Sequence, residues 1–338
     1  MSSRQGGTIS LPALDSLLYG AAKAFDYLGD EGQEMLDNVG GGIVEYLVKK
    51  GILQESKDPM QMTFQIANIF RENGYIAQVS LTPKGEAYSV TMQNWNYLPL
   101  MKNLRNKGSI LLACPMCIAN NSVLRSNSLA WKRVSEEVDS DGNYFEQMEL
   151  VPYGEGQATP NPSALADLTA IPEATSDTHV GIPVFEAVEY GLIHGFEYLG
   201  AQAELFLDAI GRGILEFVKE EAGLQHPDDL KDATKALASF FTKNGLADRI
   251  DVQLSPADVR VEFENYRSAP VLEQALSEGL RSVSCPFLLA LKALLRRDGR
   301  IVEESKWDFR TGANASLVMR LRGVADEFDA EKISALMD

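Results

Sequence analysis

Cysteine, histidine and positive charge are scarce in this chain. Among 338 residues there are three cysteines and three histidines, and 31 Lys+Arg stand against 48 Asp+Glu, a formal net charge of −17. Three cysteines cannot build a disulfide framework, which points to a reducing compartment. So negative a balance repels phosphate backbones and anionic bilayer surfaces, which argues against a nucleic-acid partner. No apolar run reaches the roughly 18–20 residues needed to cross a bilayer. The greasiest stretch, 283–295, is broken by serine, cysteine, proline and lysine. The opening MSSRQGGTIS lacks the charged-then-apolar plan of a secretory leader. The expectation is a cytoplasmic protein that is not integral to a membrane.

What is present is repetition. Residues 19–46 and 190–217 match identically at 12 of 28 positions without a gap, at an offset of 171. The same offset pairs Asn73-Gly74 with Asn244-Gly245, Asn94 with Asn265, and Cys114-Pro115 with Cys285-Pro286. One register kept over so long a stretch reads as a tandem duplication. The chain divides into a flexible arm (1–12), a first repeat (13–151), a Pro/Gly/Ser/Thr-rich linker (152–181), a second repeat (182–324) and an acidic tail (325–338).

Each repeat shows the same succession of elements. An amphipathic helix comes first, with Phe185, Val188, Leu192, Phe196 and Leu199 at helical spacing in the second copy. A second helix presents Leu36, Val39, Ile43, Tyr46 and Leu47, and a third ends at Asn-Gly. Alternating strands follow at 75–81 and 88–92, and at 250–254 and 259–263, with Thr82-Pro83-Lys84-Gly85 as the turn between the first pair. A Cys-Pro-led helix and closing strands complete the unit. The expected class is α+β: two tandem homologous domains, each a helical layer on a small antiparallel sheet.

Cys114 and Cys285 fall at helix N-caps ahead of proline, where the dipole lowers a thiol pKa. They read either as ligand-contacting thiols or as small buried caps. Cys114-Pro-Met-Cys117 is a CxxC that lacks the four ligands of a zinc site; it reads as a structural coincidence or as a redox pair, whose second-copy counterpart, Cys-Pro-Phe-Leu, has lost the partner. Gly40-Gly41-Gly42 and Gly211-Arg-Gly213 have the wrong spacing for a nucleotide loop and sit within a helix, where close helix contact explains them. Arg296 to Arg300 reads as a solvated helix end. Of His179, His194 and His226, only His194 has apolar helical neighbours and could line a pocket. Tyr19, Phe25, Tyr190 and Phe196 are kept between copies, and Trp95 and Tyr266 follow the kept asparagines. Together they would wall an apolar cavity or pack a core.

The order of parts, with Asn265, Cys285-Pro-Phe-Leu, Ile301-Val-Glu-Glu, Thr311-Gly-Ala and Leu317-Val-Met in the second copy, resembles the 4-vinyl reductase (hydrocarbon-binding) domain. That domain belongs to the ligand-binding superfamily shared with haem-nitric-oxide sensors and TRAPP-type trafficking subunits. Further cysteines common in members are replaced by Ala269 and by Ala315 or Ser316, and no histidine matches a haem ligand, so no metal site is expected. The resemblance implies a small-molecule pocket between helices and sheet and pairing of the two copies as an intramolecular pseudo-dimer. It also implies a non-catalytic role in which the pocket holds a lipid, hydrocarbon or tetrapyrrole. The alternatives are a scaffold that docks a protein partner through its acidic surface, and a cysteine-dependent enzyme using Cys114 or Cys285. The candidate ligand-binding residues are Cys114, Cys285, Tyr19, Phe25, Tyr190, His194, Phe196, Trp95 and Tyr266.

Overall fold

Proline in the first turn, where its missing N–H costs nothing, opens most of the helices. Leu11-Pro12 starts α1 (Leu11–Asp26), Pro59 starts α3 (Pro59–Glu72), Leu98-Pro99 starts α4 (Leu98–Asn106) and Pro115 starts α5 (Pro115–Ser126). The C-terminal half repeats this with α6 (Ile182–Glu197), α9 (Ala269–Ser277) and α10 (Pro286–Arg297). The remaining helices are α2 (Asp30–Lys49), α7 (Ala203–Ala222) and α8 (Leu230–Lys243), the last capped by the Asp229 carboxylate. The computed structural model describes residues 7–26, 28, 30–84, 87–109, 114–139, 141–154, 178–222, 229–280, 284–310 and 313–323.

The strands are β1 (Thr8–Ser10), β2 (Ile76–Lys84), β3 (Ala87–Trp95), β4 (Leu129–Val138) and β5 (Tyr144–Pro152), then β6 (His179–Gly181), β7 (Arg249–Leu254), β8 (Asp258–Glu264), β9 (Arg300–Arg310) and β10 (Asn314–Gly323). Two four-stranded antiparallel sheets run in the orders β2-β3-β5-β4 and β7-β8-β10-β9. The class is α+β, with each sheet covered by helices. We call residues 7–154 the N lobe and 178–323 the C lobe. Places 171 residues apart match closely: α4 and α9, like α5 and α10, begin and end in step. Asn94 and Asn265 both adopt positive φ, 47° and 50°.

Contacts between the lobes recur with roles exchanged. β1 pairs with β6, Ile9 opposite Val180, Thr8 opposite Gly181 and Ser10 opposite His179. The Leu11 N–H donates to Thr178 O at 2.8 Å, and the Ile182 N–H to Gly7 O at 3.2 Å. Phe25 stacks on Phe196 with ring centroids 6.4 Å apart. Helix α1 lies against α7, and α2 against α6. A Cβ on Gly20 would sit 2.5 Å from Ile210 O, and one on Gly191 would sit 2.6 Å from Val39 O. Glycine is what lets these backbones touch.

Several expectations change. The arm at 1–12 is not loose in its latter part: Ile9 and Leu11 are buried, and residues 8–10 form β1. A strand of three residues carries too little pattern to be read from sequence. Thr82, Pro83 and Lys84 belong to β2, paired with Ser89, Tyr88 and Ala87, so the hairpin tip lies at 85–86, outside the described residues. Helices α4 and α9 were not anticipated. The linker closes with β6, whereas 155–177, the acidic tail and His226 fall outside the described residues. The first helix of each lobe serves the other lobe more than its own.

Candidate functional site

Trp95 and Tyr97 at the end of β3, Tyr75 at the entry to β2, Asp15 on α1 and Cys114 at the N-cap of α5 converge in the N-lobe interior. Strand pairing sets Ile76 opposite Trp95, and the Asn96 N–H donates to Tyr75 O at 3.2 Å, which brings the two tyrosines to one place. The Trp95 ring lies 5.5 Å from Tyr97 and 5.3 Å from Tyr144. All of these side chains are buried. Yet Asp15 Oδ1, the Tyr75 and Tyr97 hydroxyls, Trp95 Nε1 and Asn120 Oδ1 have no hydrogen-bond partner.

Burial sets the electrostatics here. The Asp15 carboxyl is pushed well above its usual range by burial and then by nearby Glu221. Tyr75 and Tyr97 rise for the same first reason, reinforced by Cys114, Cys117 and Asp15. Two tyrosine O–H groups and an indole N–H point into this interior without acceptors, and burial shifts Asp15 toward its neutral, donor form. The cause of Asp15's isolation can be read from its counterpart. Glu186 occupies the matching place in α6 and accepts from the Tyr46 hydroxyl at 2.8 Å. The residue matching Tyr46 is Phe217, which has no hydroxyl to give.

Beside this cluster runs a buried ionic network. Arg105 on α4 grips Glu136 on β4 with both guanidinium nitrogens, at 2.9 and 3.3 Å. Tyr144 donates to the same carboxylate at 2.6 Å, and Arg133 reaches both Glu136 and Glu146. Burial pushes Glu146 upward, while Arg133 opposes it. Cys117 lies near this network, and its thiol is pushed up by its bond to Cys114 and by burial. The Cys117 N–H donates to Cys114 Sγ at 3.4 Å, which caps α5, and both cysteines are free thiols.

The C-lobe counterpart is different. Leu246, Tyr266, Ser268, Leu288, Leu291, Leu276, Trp307, Ala315 and Leu317 stand where the N lobe has Tyr75, Trp95, Tyr97, Cys117, Asn120, Arg105, Glu136, Tyr144 and Glu146. Tyr266 stacks 4.1 Å from Phe263, followed by Trp307 and Phe309. Some polar groups remain, and the Tyr266 hydroxyl, Arg267 Nε and Glu189 Oε2 have no hydrogen-bond partner. Glu189 is fully buried, accepts from the Ser268 hydroxyl at 2.7 Å, and has its carboxyl pushed up to about 8 by burial. Cys285 is likewise closed in, and burial drives its thiol up to about 12. At this N-cap, desolvation outweighs the helix dipole, reversing the expectation of a lowered thiol pKa.

The nine residues proposed from sequence therefore separate. Cys114 and Trp95 belong to the N-lobe cluster, and Cys285 and Tyr266 to its C-lobe counterpart. Tyr19, Phe25, Tyr190, His194 and Phe196 lie between the lobes instead. Tyr19 donates to Glu216 on α7, Tyr190 donates to Glu278 at 2.6 Å, and His194 stands 3.2 Å from Glu45. Asp15, Tyr75, Tyr97, Arg105, Arg133, Glu136 and Glu146 were missed. Their signal lay in the places where the two copies differ in polarity, not in those they share.

Among the described residues no group of three or more His, Cys, Asp and Glu is placed to hold a metal ion, and no helix is long and apolar enough to cross a membrane. The chain matches no protein-family model and shows no significant similarity to any curated protein.

Proposed function

We propose that this is a non-catalytic binding protein whose N lobe holds a small molecule with an apolar body and a hydrogen-bond-accepting end, between α1, α5 and the β2-β3-β5-β4 sheet. The observation that carries the reading is the set of inward donors without acceptors at Asp15, Tyr75, Trp95 and Tyr97. Each such group costs about 1–3 kcal/mol when left unsatisfied, a cost that a ligand's carbonyl or carboxylate would offset. Phe70, its ring 5.3 Å from Tyr75, and the buried Met92, Met101 and Met116 of the same lobe suit an apolar body. The C lobe, filled by its aromatic stack, acts as the structural partner. The Cys285 thiol, pushed up to about 12 by burial, is a poor nucleophile, which supports a binding role over a reaction at that cysteine. In keeping with the matched elements, we read the two lobes as descendants of one copied module, working in the cytoplasm.

Thermal melts with palmitate and protoporphyrin IX, which carry carboxylates on apolar bodies, and with hexadecane, which carries none, test the head-group requirement. A stabilisation by at least one acid, absent with the alkane and absent in Tyr75→Leu/Tyr97→Ser, is the expected result. Equal behaviour of acids and alkane contradicts it.

A further inference from the structure

Two clusters between the lobes share a plan but exchange their charges. In the first, Lys107 at the end of α4 reaches Glu220 at 2.6 Å and Glu216 at 3.2 Å on α7, and donates to the Tyr19 hydroxyl at 2.9 Å. In the second, Glu278 at the end of α9 meets Lys49 on α2 at 3.0 Å, and Lys49 also reaches Glu45 at 2.7 Å and the Tyr190 hydroxyl at 3.0 Å. At the offset of 171, Tyr19 matches Tyr190 and Glu45 matches Glu216. Lys107, however, matches Glu278, and Lys49 matches Glu220, so both partners of the pair are reversed together. Lys23 acts on Glu216 in the first cluster, and His194 stands beside Glu45 in the second.

The consequence appears when like lobes are imagined meeting through the same face. Two N lobes would set Lys107, Lys23 and Lys49 around the single carboxylate of Glu45. Two C lobes would set Glu278, Glu216 and Glu220 together with no lysine. Only an N lobe against a C lobe brings both clusters close to charge balance. The backbone contacts offer no such discrimination, because Gly20 and Gly191, and Phe25 and Phe196, are alike in both lobes. We propose that the exchanged pairs Lys107–Glu220 and Lys49–Glu278 are the specificity determinant of this interface, admitting N-lobe-to-C-lobe pairing and rejecting like-lobe pairing between chains. The groups are half-exposed, so the selection weakens as salt screens it.

The test uses the full chain. Lys107→Glu and Glu220→Lys, singly, destroy the first cluster. Together they restore opposite charges in cis and also relieve the charge excess of like-lobe pairing, fully for two N lobes and largely for two C lobes. The expected result has two parts: the double variant regains most of the thermal stability lost by either single, and, refolded at high protein concentration in low salt, it forms several-fold more oligomer than wild type by native mass spectrometry. Adding salt should shrink that difference. Failure of the double variant to regain stability overturns the proposal. So does full recovery with a wild-type oligomer fraction, which would leave an ordinary ion pair with no selecting role. Should this double variant not fold, Lys49→Glu/Glu278→Lys on the opposite cluster poses the same question with the same readings.

Discussion

At the end of β3 the Trp95 ring lies tilted against Tyr97 and Tyr144, whereas at the matching end of β8 Tyr266 stacks on Phe263, with Trp307 6.3 Å from both rings; the Trp95 N–H and the Tyr266 hydroxyl alike lack a partner. The same contrast extends across both interiors. Arg105, Glu136, Tyr144 and Glu146 face Leu276, Trp307, Ala315 and Leu317 as their counterparts. Backbone and topology are shared, so the helices and sheets do not require the polar groups. The C-lobe interior is mainly aromatic and aliphatic, with Glu189 as its buried acid, whereas the N lobe carries more charges and donors that packing would not select. The proposed ligand-holding role of the N lobe rests on that difference.

The comparison can be broken most severely at the ionic network. Arg105→Leu gives the N lobe its C-lobe residue while leaving Glu136 buried and short of a partner. Loss of about 3–5 kcal/mol in denaturant unfolding is expected. Arg105→Leu/Glu136→Trp/Tyr144→Ala/Glu146→Leu, which transplants the set, should recover most of that loss, because well-packed apolar replacements often match a buried ion network. If the set is no better than the single change, the two interiors are not interchangeable.

Glu189 sharpens the comparison from the other side, as the C lobe's own buried acid. Its carboxyl is near pH 8 in the fold against an ordinary 4.5. Between those values the folded chain keeps a proton that the unfolded chain has released. Stability therefore falls as pH rises through this window and levels off above it. Glu189→Gln should remove that slope and raise stability at pH 9 by on the order of 4 kcal/mol. Urea melts at pH 5, 7 and 9 check the sign.

The glycines give smaller effects. A Cβ at Gly40 would lie 2.2 Å from Ile118 O, and at Gly211 2.2 Å from Leu289 O. Either alanine should cost about 1–3 kcal/mol, equally in the two lobes. Gly41, matched by Arg212, meets only Ser122 Oγ at 3.4 Å. Gly41→Ala should raise stability by about 0.5–1 kcal/mol through helix propensity. A clear loss there would mean that α2 and α5 lie closer than described.

Much of the fold was legible because the chain writes its pattern twice. The kept glycines gave the close helix crossings, Asn73-Gly74 and Asn244-Gly245 the ends of α3 and α8, and alternation the strands. What was not legible had physical causes. The three-residue strands β1 and β6 are fixed by long-range pairing, and α4 and α9 are too short for strong periodicity. The kept aromatics fall where the lobes meet. Tyr19, Phe25, Tyr190 and Phe196 are retained because both lobes use the same face to meet, whereas a binding interior particular to one lobe shows up as difference. Asp15 illustrates the limit: its isolation depends on Phe217 in the other lobe, which no local pattern reveals.

Native mass spectrometry of freshly purified protein, beside the Tyr75→Leu/Tyr97→Ser variant, addresses the N-lobe assignment most directly. The account predicts one bound small molecule per wild-type chain and none on the variant. A wild-type chain at its bare sequence mass, or a bound molecule retained unchanged by the variant, would contradict it.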